Sequence, residues 1–216
     1  MIRLEGVSKT FPPERKIFAG INLEMAKGEW VWILGSTGIG KSVLLRIIYG
    51  SETLTEGSVT VLGDDVPGLK EKQLSKLLRR LGIVFQDIRL LDERTAIENI
   101  ILVLRALGIP KPQAREKALY WLTRVGLADI TERPAFELSV GQKQKVAMAR
   151  ALAKEPELLV LDEPFSALDE NEEREMLKLL GEENHKGATI LAASHEHEVL
   201  HFLPGRVLTL TPGGLE

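Results

Sequence analysis

The residues of most chemical interest form a glycine-rich stretch near the start of the chain. It fits the phosphate-binding pattern G-x-x-x-x-G-K-[ST] at every defined position. Glycine lets backbone N–H groups converge on phosphate oxygens, and the helix that follows directs its positive end at the same anion. The pattern predicts that Lys41 meets the β- and γ-phosphates of a nucleotide and that the Ser42 hydroxyl ligates Mg²⁺. The stretch consists of Gly35, Ser36, Thr37, Gly38, Ile39, Gly40, Lys41 and Ser42.

Apolar runs on both sides provide the elements that must position this stretch. Residues 30–34 are apolar and rich in β-formers, which predicts a buried strand. Residues 43–48 can continue as a buried helix. The alternative is a glycine-rich turn that binds nothing. It is disfavoured because the strand and the helix that a phosphate-binding loop requires are both predicted beside the stretch.

Two adjacent carboxylates form a second candidate site. Residues 158–161 read as a buried strand, and Asp162 and Glu163 follow it directly. A carboxylate at the carboxyl end of a strand is well placed to hold Mg²⁺ through water. The second carboxylate can polarise an attacking water molecule. The alternative is two acidic residues that merely cap the strand.

The remaining pattern predicts an α/β protein with a helical insertion. Strands are expected at residues 1–7, 17–25, 57–63, 82–85 and 188–193, and helices at 73–81 and 170–180. Helical periodicity dominates 96–107, 112–125 and 140–154. We therefore expect one domain over 1–216, with a nucleotide-binding core at 1–86 and 156–216 and a helical subdomain at 87–155.

Composition limits the possible classes of function. The chain has 216 residues, 44% of them hydrophobic, and a net charge of −3, which argues against a nucleic-acid-binding surface. With no cysteine there is neither a disulfide nor a thiolate metal site. The first residues lack a signal-peptide pattern, and no apolar run approaches the ~18 residues of a membrane span. Any role at a membrane is expected to require a partner.

The stretch from Leu138 to Gln142 resembles the signature motif LSGGQ of ATP-binding-cassette (ABC) ATPases. Other motifs resemble those of the same family in order and spacing, and the resemblance extends across the whole chain. They are Phe11 as the aromatic that stacks on adenine, Gln86 as the Q-loop, Ser166 to Asp169 as the D-loop, and His195 as the switch histidine.

This resemblance implies a fold and an assembly. The fold is that of a P-loop NTPase of the ABC ATPase type, with a RecA-like core, an antiparallel β subdomain and an inserted helical subdomain. Two protomers would form a head-to-tail homodimer that buries two ATP molecules with Mg²⁺. Hydrolysis would remove the γ-phosphate and let the dimer open.

The resemblance also implies a role for each site residue. Glu163 would be the general base, His195 would brace the γ-phosphate, and Gln86 would contact Mg²⁺ and water. The Mg²⁺ ligands, partly through water, would be Ser42, Gln86 and Asp162. The ATP-binding residues would be Phe11, Gly35, Ser36, Thr37, Gly38, Ile39, Gly40, Lys41, Ser42, Val43, Ser139, Gly141, Gln142 and Asp169.

Two residues depart from the family pattern. Val140 replaces the first glycine of the signature, which adds bulk near the phosphate. Val43 replaces a threonine, which removes a hydroxyl contact while the backbone N–H remains. Both departures affect the expected affinity and turnover, and a weakly hydrolysing ATP-sensing module stays an alternative.

Residues 78–100, together with the first nine residues and the short length, resemble the FtsE ATPases of bacterial cell division. That resemblance implies an FtsX-like integral membrane subunit, docked on the segment from Asp87 to Arg94. The protein would then be cytoplasmic and peripheral on the inner face of the cell membrane. The alternatives are a lipoprotein-release or macrolide-export ATPase. Soluble ABC proteins of DNA repair or translation carry long insertions or tandem cassettes, which this chain lacks.

The pattern H-E-x-x-H at residues 197–201 is typical of zinc proteases. We expect no zinc site there, because no third ligand is evident.

Overall fold

The computed structural model describes residues 1–195, 205–211 and 213–216. The strands and helices are, in chain order, β1 (Ile2–Phe11), β2 (Arg15–Met25), β3 (Trp30–Leu34), α1 (Lys41–Ile48), β4 (Glu56–Val61), β5 (Asp64–Asp65), α2 (Glu71–Arg80), β6 (Leu81–Val84), α3 (Ala96–Ala106), α4 (Lys111–Arg124), α5 (Val140–Leu152), β7 (Leu158–Asp162), α6 (Glu170–His185), β8 (Thr189–Ser194), β9 (Arg206–Thr211) and β10 (Gly214–Leu215). The helices and strands expected from the sequence are all present, and the strands β5, β9 and β10 are additions to them.

The chain divides into two compact units. The first contains residues 1–78 and 184–216, and the second contains residues 79–183. The division expected from the sequence, a core at 1–86 and 156–216 around a helical subdomain at 87–155, stays a prediction.

An antiparallel sheet forms one part of the first unit. Its strand order is β2-β1-β4-β5, with Ile2 opposite both Met25 on β2 and Val61 on β4. These three side chains are buried, as expected where the apolar faces of neighbouring strands stay in register.

A parallel arrangement forms the other part of the first unit. Strand β3 pairs in parallel with β8 on one side and with β9 on the other. All five residues of β3 are buried, which is typical of a parallel strand covered on both faces. Trp30 and Trp32 stack within it, with ring centroids 5.6 Å apart.

The second unit combines helices α3, α4, α5 and most of α6 with the parallel pair β6 and β7. Helix α3 begins at a capping box. The Thr95 hydroxyl accepts a hydrogen bond from the Glu98 backbone N–H, and the Glu98 carboxylate accepts one from the Thr95 backbone N–H. Gly82 has no room for a side chain, because a Cβ there would lie 2.8 Å from the Ala151 carbonyl oxygen. Within the described ranges, no helix is both long and apolar enough to cross a membrane.

Candidate functional site

The loop that the sequence predicts to bind phosphate connects β3 to α1 in the first unit. Gly38 has φ 82° and Gly40 has φ 118°, conformations that other residues rarely adopt. A Cβ at Gly40 would lie 2.5 Å from Ile17 Cγ2. The second glycine of the pattern is therefore required both by backbone conformation and by space.

Lys41 lies at the first position of α1 and folds back along this loop. Its ammonium donates hydrogen bonds to the carbonyl oxygens of Gly35, at 2.7 Å, and Ser36, at 3.4 Å. The side chain is buried. Ser42 and Val43 follow it in the first helical turn and are half-buried. The loop thus places the Lys41 ammonium close to its own backbone and to the N-terminus of α1, groups of the kind that favour an anion.

Phe11 ends β1 in the first unit and is half-buried. The Lys9 ammonium lies 4.4 Å from the centroid of its ring, a cation–π contact. Lys9 also forms an ion pair with Glu52 at 2.7 Å and donates to the Thr53 carbonyl oxygen at 2.6 Å. The hydrogen bond from Lys9 lowers the pKa of Glu52.

The two carboxylates lie at the carboxyl end of β7 in the second unit. Asp162 is the last residue of the strand and Glu163 the first after it, and both are buried. Glu163 has φ 49°, a left-handed conformation uncommon for a residue with a side chain. Its carbonyl oxygen accepts hydrogen bonds from Gln144 Nε2 at 3.3 Å and Ser166 Oγ at 3.2 Å.

The signature residues form the beginning of α5, also in the second unit. Ser139 caps the helix by accepting from the Gln142 backbone at 3.2 Å, while the Gln142 side chain accepts from the Ser139 backbone at 3.0 Å. Gly141 has no room for a side chain, because a Cβ there would meet the Ala167 carbonyl oxygen at 2.8 Å. Val140 is 62% exposed. The motif therefore presents a capped helix N-terminus with an apolar side chain beside it.

Asp169 caps α6 in a similar way. Its Oδ1 accepts from the backbone of Asn171 and of Glu172, both at 2.9 Å. The Glu172 carboxylate pairs with Lys145 of α5 at 2.7 Å. This ion pair ties the signature helix to the start of α6.

Gln86 is exposed and lies two residues after β6. The chain then turns sharply, with φ 60° at Ile88 and φ 48° at Arg89. Arg150 of α5 donates to both of their carbonyl oxygens, at 3.1 Å to Ile88 and 2.7 Å to Arg89. Burial lowers the pKa of Arg150. The signature helix thus holds the main chain that follows Gln86.

The segment from Asp87 to Arg94 is held from its other end by Asn99, a buried residue of α3. Its amide accepts from the Leu91 backbone at 2.8 Å and donates to the Leu91 carbonyl at 3.1 Å and the Arg94 carbonyl at 3.3 Å. Leu91 is exposed, whereas Leu90 is half-buried. Phe136, whose backbone donates to the Asp92 carbonyl at 3.2 Å, is also exposed.

The site residues expected from the sequence therefore fall in both units. The first unit carries Phe11, the phosphate-binding loop and His195, which is exposed directly after β8. The second carries Gln86, the signature residues, Asp162, Glu163 and Asp169. The zinc-protease pattern at residues 197–201 lies outside the described residues.

Several residues that support these motifs were not expected from the sequence. A single polar residue inside a helix or a strand gives no local signal of its contacts. For Gln144 and Arg150, the only available signal in the sequence is that they lie close to the signature motif. The supporting residues are Lys9, Glu52, Asn99, Gln144, Lys145, Arg150 and Glu172.

Comparison with known proteins identifies the family. Residues 18–166 match the family described as ABC transporter. The methionine import ATP-binding protein MetN of Carboxydothermus hydrogenoformans is 41% identical over 99% of this chain and 64% of its own length. The lipoprotein-releasing system ATP-binding protein LolD of Aquifex aeolicus is 40% identical over 99% of this chain and 95% of its own.

A solved structure agrees with this similarity. The dimeric post-hydrolysis state of the ATP-binding cassette MJ0796, bound to ADP and Pi, has a TM-score of 0.93 and 33% identity. The match covers 100% of this chain and 97% of that one. The chain spans only 59–66% of the length of the first three methionine import relatives. With a P-loop fold and the family's motifs in order, this chain belongs to the ABC transporter family, as one of its ATPase domains.

Proposed function

We propose that this chain binds ATP with Mg²⁺, dimerises around it, and uses its hydrolysis to drive a membrane partner. The observation that carries the proposal is the loop before α1, where Lys41 is buried against the Gly35 carbonyl beside a helix N-terminus. The Lys41 side chain supplies positive charge and the loop backbone supplies N–H donors, and a nucleoside triphosphate needs both.

The donor set fits Mg²⁺, because hard cations prefer oxygen ligands. The Ser42 hydroxyl, the Gln86 amide oxygen and the Asp162 carboxylate would hold it, partly through water. When bound, the ion would neutralise charge on the phosphate oxygens. The ATP-binding set is proposed as the sequence predicts it, from Phe11 and the phosphate-binding loop to the signature residues and Asp169.

Glu163 is proposed to orient or deprotonate the attacking water, with His195 and Gln86 placing the γ-phosphate and that water. The position of Glu163 supports this role, since it is buried directly after β7 and next to Asp162, which is proposed to hold Mg²⁺. Phosphoryl transfer depends mostly on positioning and electrostatics, and each of these side chains is proposed to position a reacting group or to stabilise charge.

Dimerisation is supported by the solved cassette MJ0796, whose structures are dimeric. In this chain the exposed Ser139 and Val140 at the N-terminus of α5 provide a surface for the γ-phosphate held by a second copy. Each nucleotide would then be bound by the loop of one protomer and the signature of the other.

The Glu163→Gln variant tests chemistry and assembly together. It keeps the shape of the side chain but removes the base, so turnover should fall by at least about 100-fold. ATP should then persist and hold two protomers together, which sedimentation with saturating ATP would detect. A variant that hydrolyses ATP at the wild-type rate, or stays monomeric with ATP bound, would refute the proposal.

For the membrane partner, the resemblance of residues 78–100 to FtsE supports an FtsX-like subunit in cell division. The similarity to LolD supports lipoprotein release as a second candidate, and the similarity to MetN supports methionine import as a third. In each case the ATPase would work at the cytoplasmic face of the membrane. Co-expression with each type of membrane subunit, followed by co-purification in detergent, would distinguish them.

The segment from Asp87 to Arg94 is proposed as the docking surface for that subunit. Leu91 is exposed there although Asn99 fixes its backbone, so its side chain is presented in a defined position. Leu91→Asp should reduce co-purification of the partner by about tenfold or more while ATP affinity stays near normal. Leu102→Asp, at an exposed leucine of α3, is the matched control. If Leu91→Asp and Leu102→Asp recruit the membrane partner equally well, the segment from Asp87 to Arg94 is not the docking surface.

A further inference from the structure

Gln144 is a buried polar residue of α5 that no expected role explains. Its side chain is 2% exposed, and its Nε2 donates to the carbonyl oxygen of Glu163, 19 residues away in sequence, at 3.3 Å. A polar side chain is costly to bury unless it is hydrogen-bonded. The hydrogen bond from this buried amide to the main chain of the proposed base therefore indicates that Gln144 helps to fix the position of that base.

The backbone of Glu163 needs such support. Its φ of 49° is one of five positive values among the described residues other than glycine. Conformations of this kind persist only when the surroundings hold them. The Glu163 carbonyl is held by the Gln144 amide, by the Ser166 hydroxyl at 3.2 Å and by the Ser166 backbone N–H at 3.5 Å.

The same helix contacts the residues that follow. Gly141 packs so closely on the Ala167 carbonyl oxygen that a Cβ would lie 2.8 Å from it. Lys145 pairs with Glu172 at 2.7 Å. Three positions in the first half of α5, 141, 144 and 145, thus contact the chain from Glu163 to Glu172, so the Gln144 bond is one of several contacts between these two stretches.

We propose that Gln144 is a positioning residue that orients the Glu163 carboxylate by holding its main chain. The proposal rests on the role of Glu163 as the base in the proposed function. Rotation of the peptide at Glu163 would swing its side chain, and a displacement of about 1 Å of a reacting group can cost about 100-fold in rate. Through Gln144, the helix that begins with the signature motif sets the position of the catalytic carboxylate in the same protomer.

The test compares Gln144→Met, which keeps the length of the side chain but cannot donate, with Lys143→Met. Lys143 lies on the same helix, and its contact to Asp92 is long, at 3.4 Å, and exposed. We expect Gln144→Met to lower kcat by about tenfold or more. The Kd for Mg²⁺-ATP, measured by calorimetry, should change by less than about twofold. Lys143→Met should leave both values unchanged.

A second single variant keeps the proposal testable if Gln144→Met does not fold, and a double variant extends the test if it does. Ser166→Ala removes a second donor to the same carbonyl from an exposed position, and it should lower kcat by a smaller factor with Kd unchanged. Adding Gln144→Met to Glu163→Gln should not reduce turnover further, because the group that it positions is already gone.

The outcomes separate the two proposals. If Glu163→Gln is inactive while Gln144→Met and Ser166→Ala keep the wild-type kcat, the positioning role is wrong and the proposed function stands. If Glu163→Gln hydrolyses ATP normally, both are overturned. A parallel loss of kcat and ATP affinity in Gln144→Met would show general disruption and would also refute the positioning role.

Discussion

The Lys9 ammonium lies 4.4 Å from the centroid of the Phe11 ring and also pairs with the Glu52 carboxylate at 2.7 Å. Lys9 is almost fully buried, so its charge is held in one place. A buried cation therefore contacts the ring of the aromatic residue that is proposed to stack on adenine.

Lys9→Met should weaken ATP binding, because the ring would lose the contact that orders it. We expect the Kd to rise by about threefold to tenfold, in line with about 1 kcal/mol for a cation–π contact. Phe11→Ala is the reference and should lose at least as much affinity. Calorimetry with Mg²⁺-ATP measures both, and unchanged affinity in Lys9→Met would show that the contact does not prepare the site.

Lys41→Ala should abolish measurable ATP binding. The ammonium now bonded to the Gly35 carbonyl is the charge proposed to meet the β- and γ-phosphates. Calorimetry at millimolar nucleotide measures the loss, and circular dichroism should confirm that the fold is retained. Wild-type affinity in a folded variant would refute the assignment of the phosphate-binding loop.

Val140→Gly should raise ATP turnover by about twofold to tenfold if the exposed valine holds the helix N-terminus off the γ-phosphate of a second protomer. Glycine should also lower the free energy of unfolding by about 0.5–1 kcal/mol, because it frees the unfolded chain. Val140→Thr keeps the branched shape and should behave like the wild type. Equal or lower turnover in Val140→Gly would show that Val140 does not slow the reaction.

Lys154 gives the second unit a pH-dependent stability. Its ammonium donates to the Leu81 carbonyl, and burial together with the Arg150 charge lowers the pKa of Lys154 from 10.5 to about 8. Between pH 8 and pH 10.5 the unfolded chain keeps a proton that the folded chain has lost, so the free energy of unfolding rises with pH in this range.

Lys154→Met should remove that dependence. The wild type should gain on the order of 1 kcal/mol relative to the variant between pH 7.5 and pH 9.5, measured by urea unfolding. Below about pH 7 Lys154 is protonated in both states, so the cost of the buried charge is fully present and the difference should be constant. A difference that stays the same from pH 7 to pH 10 would contradict the lowered pKa of Lys154.

Much of the fold follows from patterns within a few residues. The β3 strand, the glycine loop and α1 were predicted because the turn needs glycine where φ is positive, as at Gly38 and Gly40. The caps at Thr95 and Ser139 are likewise local, since each contacts the residue three positions later. Strands β9 and β10 were not predicted. They are short, and β9 pairs with β3 across more than 170 residues of chain, as in the register of Val31 with Arg206.

The residues that support the site depended on the tertiary structure. Lys9 contacts Glu52 across 43 residues of sequence, Gln144 contacts Glu163 across 19, and Arg150 contacts Ile88 across 62. No local pattern records such contacts, because each depends on which elements pack side by side and on which side chains are buried there. Motif residues could be found in the sequence since phosphate chemistry restricts their types and spacing. The residues that hold them in place could be found only from the folded chain, where burial requires each polar group to have a partner.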